Sequence, residues 1–360
     1  RDRSPSRGLG DVYKRQAYSR QNSLRPFLHN IRRTTMNQNK SKSHWLRRVL
    51  LGRPEMGTLL PLALLLAVVA CINASFFNLN NILDILRTAS FSFMIAVPLT
   101  FLIAGGGMDL SVGAATSFGG VICALCLKAG VPLVPAILLA VLVGGLVGLV
   151  NGLIIVRAKL PGFLATLGTQ YVVNGIILVV TQGLAISGFS DSFKVLGQHR
   201  LFGVVPMPIL YAAAVGIAGH ILLVYTKFGR SVLAIGGNAE TAHLAGINVT
   251  LKQIILYTAT SLFAALSGVL MASRFATAQP GAGTGTELTI MAAVIIGGTS
   301  IYGGTATIIG AALGCILLST IQNALIVIGV STFWQNLVFG AILLISLFVD
   351  KYRRQASSGT

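Results

Sequence analysis

The sequence predicts an all-α, polytopic membrane protein of about ten transmembrane helices, arranged in two halves of inverted topology. Three observations carry this. Of 360 residues, 54% are hydrophobic and only 10% charged, with a mean hydropathy of +0.79; a soluble domain carries about 25% charged residues. Apolar runs follow one another along the chain, most of them near the roughly 20 residues that a bilayer crossing needs. Finally, two glycine-flanked acidic motifs recur at a fixed offset of 178 positions.

Residues 1–35 show no hydrophobic period and read as a non-native or disordered tail, with Met36 the expected start. They hold nine of the 27 basic residues and two of the nine acidic ones, so +7 of the net charge of +18 lies in this tail and +11 from Met36 on. Residues 36–56 form a basic segment, 57–350 the transmembrane domain, and 351–360 a short tail. Within the domain, spans are predicted at 57–76, 82–104, 109–127, 133–156, 162–182, 208–226, 254–275, 288–302, 304–328 and 333–349. The 41 glycines suit close helix packing in lipid, and Gly144, Gly148 and Gly152 put one smooth stripe down the fourth span. Cys71, Cys123, Cys126 and Cys315 all sit in apolar runs and read as inert thiols.

Lys and Arg fix the orientation, because they accumulate in cytoplasmic loops. With the N-terminus inside and ten spans, the cytoplasmic side collects thirteen, among them Arg47, Arg48, Arg157, Lys227, Arg230 and Lys252. The opposite side collects four, Lys128, Lys194, Arg200 and Arg274, so both termini are expected in the cytoplasm. The basic charge is thus a topology signal for a chain that faces membrane lipid, and no nucleic-acid partner is expected. Two loops exceed a tight turn. The outward stretch 183–207 is polar, and the inward stretch 227–252 is amphipathic enough for a short surface helix.

The repeat reads GMDLSVGAATSFGG at 107–120 and GTELTIMAAVIIGG at 285–298. Five spans separate the two copies, an odd number, so the halves must run in opposite senses; such repeats commonly enclose a transport path. Asp109 and Glu287 occupy the matched acidic position, within the first turn of a predicted helix. There a carboxylate fits helix capping and also fits lining or gating a solute path. Asp84 and Arg87, three apart at the start of a span, can pair on one helix face.

Several chemistries are excluded. The phosphate-binding string G-x-x-x-x-G-K-[ST] does not occur, nor do H-E-x-x-H or G-x-S-x-G, so the chain carries no ATPase or recognisable enzyme site, and no cofactor is expected. Few carboxylates or histidines lie inside spans, which argues against ion coupling. A path for a neutral solute would offer hydroxyls and amides instead. Ser111, Thr116, Ser117, Asn151, Thr166, Thr169, Gln170, Asn174, Gln322, Asn323, Gln335 and Asn336 supply them. Of these, Ser111, Asn151, Thr166, Gln170, Asn174 and Asn323, together with Asp109, are assigned to the path, although helix–helix hydrogen bonds use the same residue types.

The inward loop carries Phe228-Gly229-Arg230, then Ala234-Ile235-Gly236-Gly237-Asn238, then Ala242 and Gly246-Ile247. With Gly107 to Gly113 (GMDLSVG) and Ile296-Gly297-Gly298 through Gly303-Gly304, this stretch resembles the ribose-type monosaccharide permeases of bacterial ABC importers, over about residues 57–350. The resemblance implies a permease subunit in the bacterial inner membrane, paired with a second permease subunit, identical or related. An ABC ATP-binding subunit would dock beneath and a periplasmic sugar-binding protein would deliver the solute. It also implies that a short cytoplasmic helix within Gly229 to Gly246 enters the ATPase; Gly229, Arg230, Gly236, Gly237, Asn238, Ala242 and Gly246 are the residues involved. Gly236-Gly237 are expected to permit a sharp turn, Asn238 to cap, and Ala239 to Ala245 to form the helix. Ribose names the branch, while xylose, galactose or a quorum-signal furanose is equally compatible. A permease for nucleosides or branched-chain amino acids, and an ion-coupled secondary transporter, remain as alternatives.

Overall fold

A computed structural model describes residues 56–329 and the positions 331, 334, 337, 340, 341 and 344 beyond them. The expected tail 1–35, most of the basic segment, most of the span 333–349 with Gln335 and Asn336, and the tail 351–360 lie outside the described residues.

The described chain is helical. In order it forms α1 (Met56–Ile72), a 3-10 turn (Ala74–Phe77), α2 (Leu79–Ala104), α3 (Val112–Lys128), α4 (Leu133–Arg157) and α5 (Gly162–Thr181). The polar stretch that follows contributes β1 (Ile186–Ser187), α6 (Asp191–Gln198) and the pair β2 (Arg200–Leu201) and β3 (Val205–Pro206). Then come α7 (Met207–Tyr225), α8 (Lys227–Gly237), α9 (Ala239–Leu244), α10 (Val249–Phe275), β4 (Thr277–Ala278), α11 (Thr286–Ile296) and α12 (Ile308–Val327). Among the described residues, six helices are long and apolar enough to cross a membrane: α2, α4, α5, α7, α10 and α12.

Two expected spans take a different form. The run 288–302 is not one helix. α11 stops at Ile296, and at about 1.5 Å per residue its 11 residues reach about half the thickness of the hydrocarbon core. The stop is a glycine cap. Gly298 adopts φ +102°, its N–H donates to Ile295 O at 2.9 Å, and Thr299 N donates to Val294 O at 3.2 Å. Apolarity continues through the break, so hydropathy alone does not register it. The third span likewise begins later than expected, at Val112. Asp109 therefore precedes the helix and does not sit in its first turn. Its Oδ1 accepts from Ser111 N at 2.8 Å and Ser111 Oγ at 2.6 Å, which closes a side-chain turn in place of a helical one.

α10 is the hub. It packs against α4 more extensively than any other described pair of helices meet, and also against α3 and α2. Small residues make this possible. A Cβ on Gly144 would overlap Ala265, one on Gly148 would overlap Tyr257 O, and one on Gly152 would sit 2.9 Å from Ile254 Cα. The glycine stripe is therefore a packing face, as read from its spacing. On the other side of α10, Gly119 and Gly120 of α3 meet Ala265 and Gly268, and Gly268 itself abuts Thr116 O. With no hydrophobic drive between helices in lipid, such close approach supplies the dispersion contacts that hold the bundle. The ion pair expected on α2 forms, with Arg87 Nη2 2.7 Å from Asp84 Oδ1.

The polar stretch after α5 is fastened to α10. Ser273 Oγ donates to Phe193 O at 2.6 Å and accepts from Gly197 N at 2.8 Å, while β1 pairs antiparallel with β4. Large apolar side chains stay exposed on α4, α5 and α7, among them Leu142, Tyr171, Val172, Val179 and Ile217. Such faces suit lipid or another apolar surface.

Candidate functional site

Three constructions bring together residues singled out in the sequence. The first is the paired helices α8 and α9. Thr226 caps α8, accepting from Gly229 N at 3.3 Å. Gly229, Val232 and Ile235, three apart, are the buried face of α8. Phe228 rests on Phe101 of α2 with ring centroids 6.2 Å apart, and Lys252 Nζ lies 4.2 Å from the Phe228 ring centroid. Arg230 on the opposite side is exposed.

α9 is a single short helix, closed at both ends. Asn238 caps it, accepting from Thr241 N at 2.9 Å. At the far end Gly246 has φ +82°, its N–H donates to His243 O at 2.9 Å, and Ile247 N donates to Ala242 O at 3.1 Å. Only Ala242 of this helix is buried; Leu244 is 81% exposed. An apolar residue so placed on a capped, protruding helix suits contact with another surface.

Gly236 and Gly237 do not form the expected sharp turn. Both are the last residues of α8, and neither has a positive φ. Gly236 is needed for a different reason. Its Cα lies against the Ala104 carbonyl at the end of α2, which also accepts from Gly304 N at 2.9 Å. A Cβ at 236 would overlap Ala104 O and come within 2.5 Å of Gly304 N. Three backbones thus meet with no side chain between them: the end of α8, the end of α2 and the turn between α11 and α12. Around Gly237, by contrast, there is open space.

The second construction is a fully buried polar network where α2 gives way to α3. Asp109, Ser111, Asn151 and Thr166 are all 0% exposed. Asn151 Nδ2 donates to Ser111 Oγ at 2.8 Å, and Ser111 Oγ donates to Asp109 Oδ1. Thr166 Oγ1 accepts from Leu110 N at 3.1 Å, and Tyr257 OH donates to Met108 O at 3.2 Å. Irregular backbone inside a bilayer protein must find partners within the protein, and Thr166 and Tyr257 provide them. Tyr257 was missed in the sequence, since a tyrosine within an apolar run carries no positional signal. Asp109 Oδ2 and Asn151 Oδ1 are buried without a hydrogen-bond partner.

The third is a pair joining α5 to α11. Gln170 Nε2 donates to Glu287 Oε1 at 3.0 Å, and Glu287 is 8% exposed. Asn174, one turn further along α5, is half-buried. One turn along α3 from Gly113, a cavity of about 160 Å³ opens between Thr116, Ser117, Gly268, Phe275, Thr277 and Gln279. Asn323 lies apart from all three. It exchanges two side-chain hydrogen bonds with Asn81, at 2.9 and 3.0 Å, linking α12 to α2.

A family model described as the branched-chain amino acid transport system / permease component matches residues 81–347. The chain belongs to this permease family. Its similar relatives include the ribose import permease protein of Haemophilus influenzae, 34% identical over 321 residues, which is 88% of this chain and 98% of that protein. The ribose import permease protein of Bacillus subtilis is 38% identical over 299 residues, covering 82% of this chain and 92% of that one. The D-allose transport system permease protein of Escherichia coli is 33% identical over 299 residues, 82% of this chain and 91% of its own length. No solved structure matches the chain. This permease is therefore a transport component and a multi-pass membrane protein.

Proposed function

We propose that this permease is the membrane-spanning subunit of a bacterial ABC importer that passes a monosaccharide across the inner membrane. The observation that carries the reading is similarity, over 82% to 88% of the chain, to permeases named for ribose import and D-allose transport. The family's own description names branched-chain amino acids. The sugar reading is favoured because the polar groups on α5 and α11 are amides, hydroxyls and one carboxylate, which suit a neutral polyol. The zwitterionic head of an amino acid would ask for a cation as well.

In this reading a separate ABC ATP-binding subunit hydrolyses ATP, consistent with the missing phosphate-binding string. A periplasmic sugar-binding protein presents the solute, and a second permease subunit covers the exposed apolar face of α5. The domain 57–350 holds ten spans in two inverted halves, with both termini cytoplasmic and residues 36–56 and 351–360 flanking it. α8 and α9 are then the ATPase dock, supported by the capped form of α9 and the exposed Leu244 and Arg230. Force applied at α9 would pass through Gly236 to the ends of α2 and α11. The solute path follows the α5 face carrying Gln170 and Asn174. The Asp109–Ser111–Asn151–Thr166 network supports that wall, and reaches solute only in a state where α3 and α4 part.

The test is reconstitution from Met36 onward in vesicles, with the candidate ATPase and binding protein and a panel of labelled monosaccharides. Uptake that needs ATP and both partners is the expected result. Uptake driven by an ion gradient with this chain alone, or uptake of leucine in place of any sugar, overturns the reading.

A further inference from the structure

The two sequence-matched carboxylates do different work. Asp109 spends one oxygen on its own chain, closing the turn before α3 through Ser111 N and Oγ. Glu287 forms no such local bond with its side chain. Its Oε1 reaches Gln170, 117 residues away in sequence, and its Oε2 is buried without a hydrogen-bond partner. A local turn therefore accounts for the acid at 109 and not for the one at 287.

Nor does packing call for a charge there. A glutamine at 287 would hold Gln170 equally well at far lower desolvation cost, since a buried carboxylate lacking a cation is expensive. Among the described residues, no Lys or Arg forms an ion pair with Glu287. The chain nevertheless makes room for this carboxylate. Gly113 of α3 lies against Glu287 Oε2, and a Cβ at 113 would overlap that oxygen and come within 2.5 Å of Gly283 O. The loop before α11 is held to the same face of α3, where Gly283 N donates to Ser117 Oγ at 2.8 Å. One turn beyond Gly113, that face borders a cavity lined by Thr116 and Ser117; Glu287 is not among its lining residues, so Oε2 meets a solute there only when α3 and α11 shift apart.

From this geometry we infer that Glu287, held by Gln170 and admitted by Gly113, is a hydroxyl-binding station for the transported polyol, and so a specificity-determining residue of the permease. A carboxylate with a free oxygen beside a side-chain amide accepts hydroxyl donors from a sugar through charge-assisted bonds. A calcium or magnesium ion fits less well. Such ions take about six oxygen ligands, and no cluster of three or more His, Cys, Asp or Glu occurs among the described residues. The inference rests on the sugar-importer reading and deepens it.

The experiment uses the complete transporter in proteoliposomes, with ATPase and binding protein, and reads solute imported per ATP hydrolysed for the cognate monosaccharide and its monodeoxy analogues. Loss of one hydrogen bond to a charged group corresponds to about ten- to a hundredfold. Glu287→Ala should lower import of the cognate sugar by at least tenfold, and import of one deoxy analogue by less than twofold, because that analogue lacks the hydroxyl concerned. Gln170→Ala, on the more exposed α5, should give a smaller loss with the same analogue pattern, which keeps the test valid where Glu287→Ala inserts poorly. Unchanged discrimination among analogues in both variants overturns the assignment while the sugar-importer reading stands. A wild-type complex that imports no monosaccharide overturns both. A new sodium dependence that disappears in Glu287→Gln replaces the hydroxyl station with an ion site.

Discussion

Placing a single methyl group at position 236 tests whether the meeting of α8, α2 and the α11–α12 turn is as tight as its geometry implies. In Gly236→Ala the new Cβ overlaps the Ala104 carbonyl and crowds Gly304 N. Both neighbours are backbone, so no rotamer change relieves the contact. Overpacking of this kind costs about 1–3 kcal/mol. If the chain yields by parting the helix ends from the turn, it also loses the Gly304 N to Ala104 O bond, worth about 1 kcal/mol. The sum, about 2–4 kcal/mol, shifts the balance between a seated and a displaced α8 by roughly 30- to 1,000-fold. The assay is ATP-dependent uptake in vesicles containing both partner proteins, normalised to the amount of inserted permease. Gly175→Ala is the control, since its Cβ would meet open space on α5. Uptake should fall at least tenfold in Gly236→Ala and stay near wild type in the control. Equal uptake by the two variants would falsify the tight joint and with it the route from α9 into the membrane.

Other perturbations separate packing from docking. Gly237→Trp points a large side chain into open space, so the protein should insert and melt normally in detergent while co-purification with the ATPase is lost. Asn238→Ala removes the α9 cap and about 1 kcal/mol of helix stability; ATPase association should weaken several-fold, and Asn238→Asp should restore most of it. Gly148→Leu collides with Tyr257 O and Ser261 and should lower the melting temperature of the inserted protein or prevent its accumulation. Asn323→Leu leaves Asn81 with its bond to Phe76 O alone, at a cost of about 1 kcal/mol, and the double change Asn81→Leu with Asn323→Leu should cost less than the sum of the two single changes.

The long spans were legible because their ends are chemically marked. α4 ends at Arg157 and α5 begins after Pro161, within a residue of the expected bounds. α9 was legible for the same reason, with Asn238 before it and Gly246 after. The half-length α11 was not, because Val294 to Ile296 and Ile301 lie on both sides of the break and hydropathy averages across it. The role of Gly236 was misread, since a glycine pair advertises conformational freedom and gives no sign of a carbonyl arriving from residue 104. Gln170 was found by its residue type. Its partner at 287 lies too far along the chain for any local pattern to join them, and that bond, more than any motif, distinguishes the matched carboxylates from each other.

The pairing of β1 with β4 has a thermodynamic consequence of its own. It joins only Ile186 to Ala278 and Ser187 to Thr277, with a supporting bond from Thr277 Oγ1 to Ile186 O at 3.3 Å. A ladder of two rungs is marginal in isolation, while the α10 helix it adjoins is buried on several sides. Opening free energies within one protein range from near zero to the global value, and this clasp belongs at the low end. Its amides should exchange with solvent while those in the middle of α10 remain protected. β4 can thus unfasten from β1 without the bundle melting, while the Ser273 bonds still hold α6 to α10, a small fluctuation beside a rigid hub.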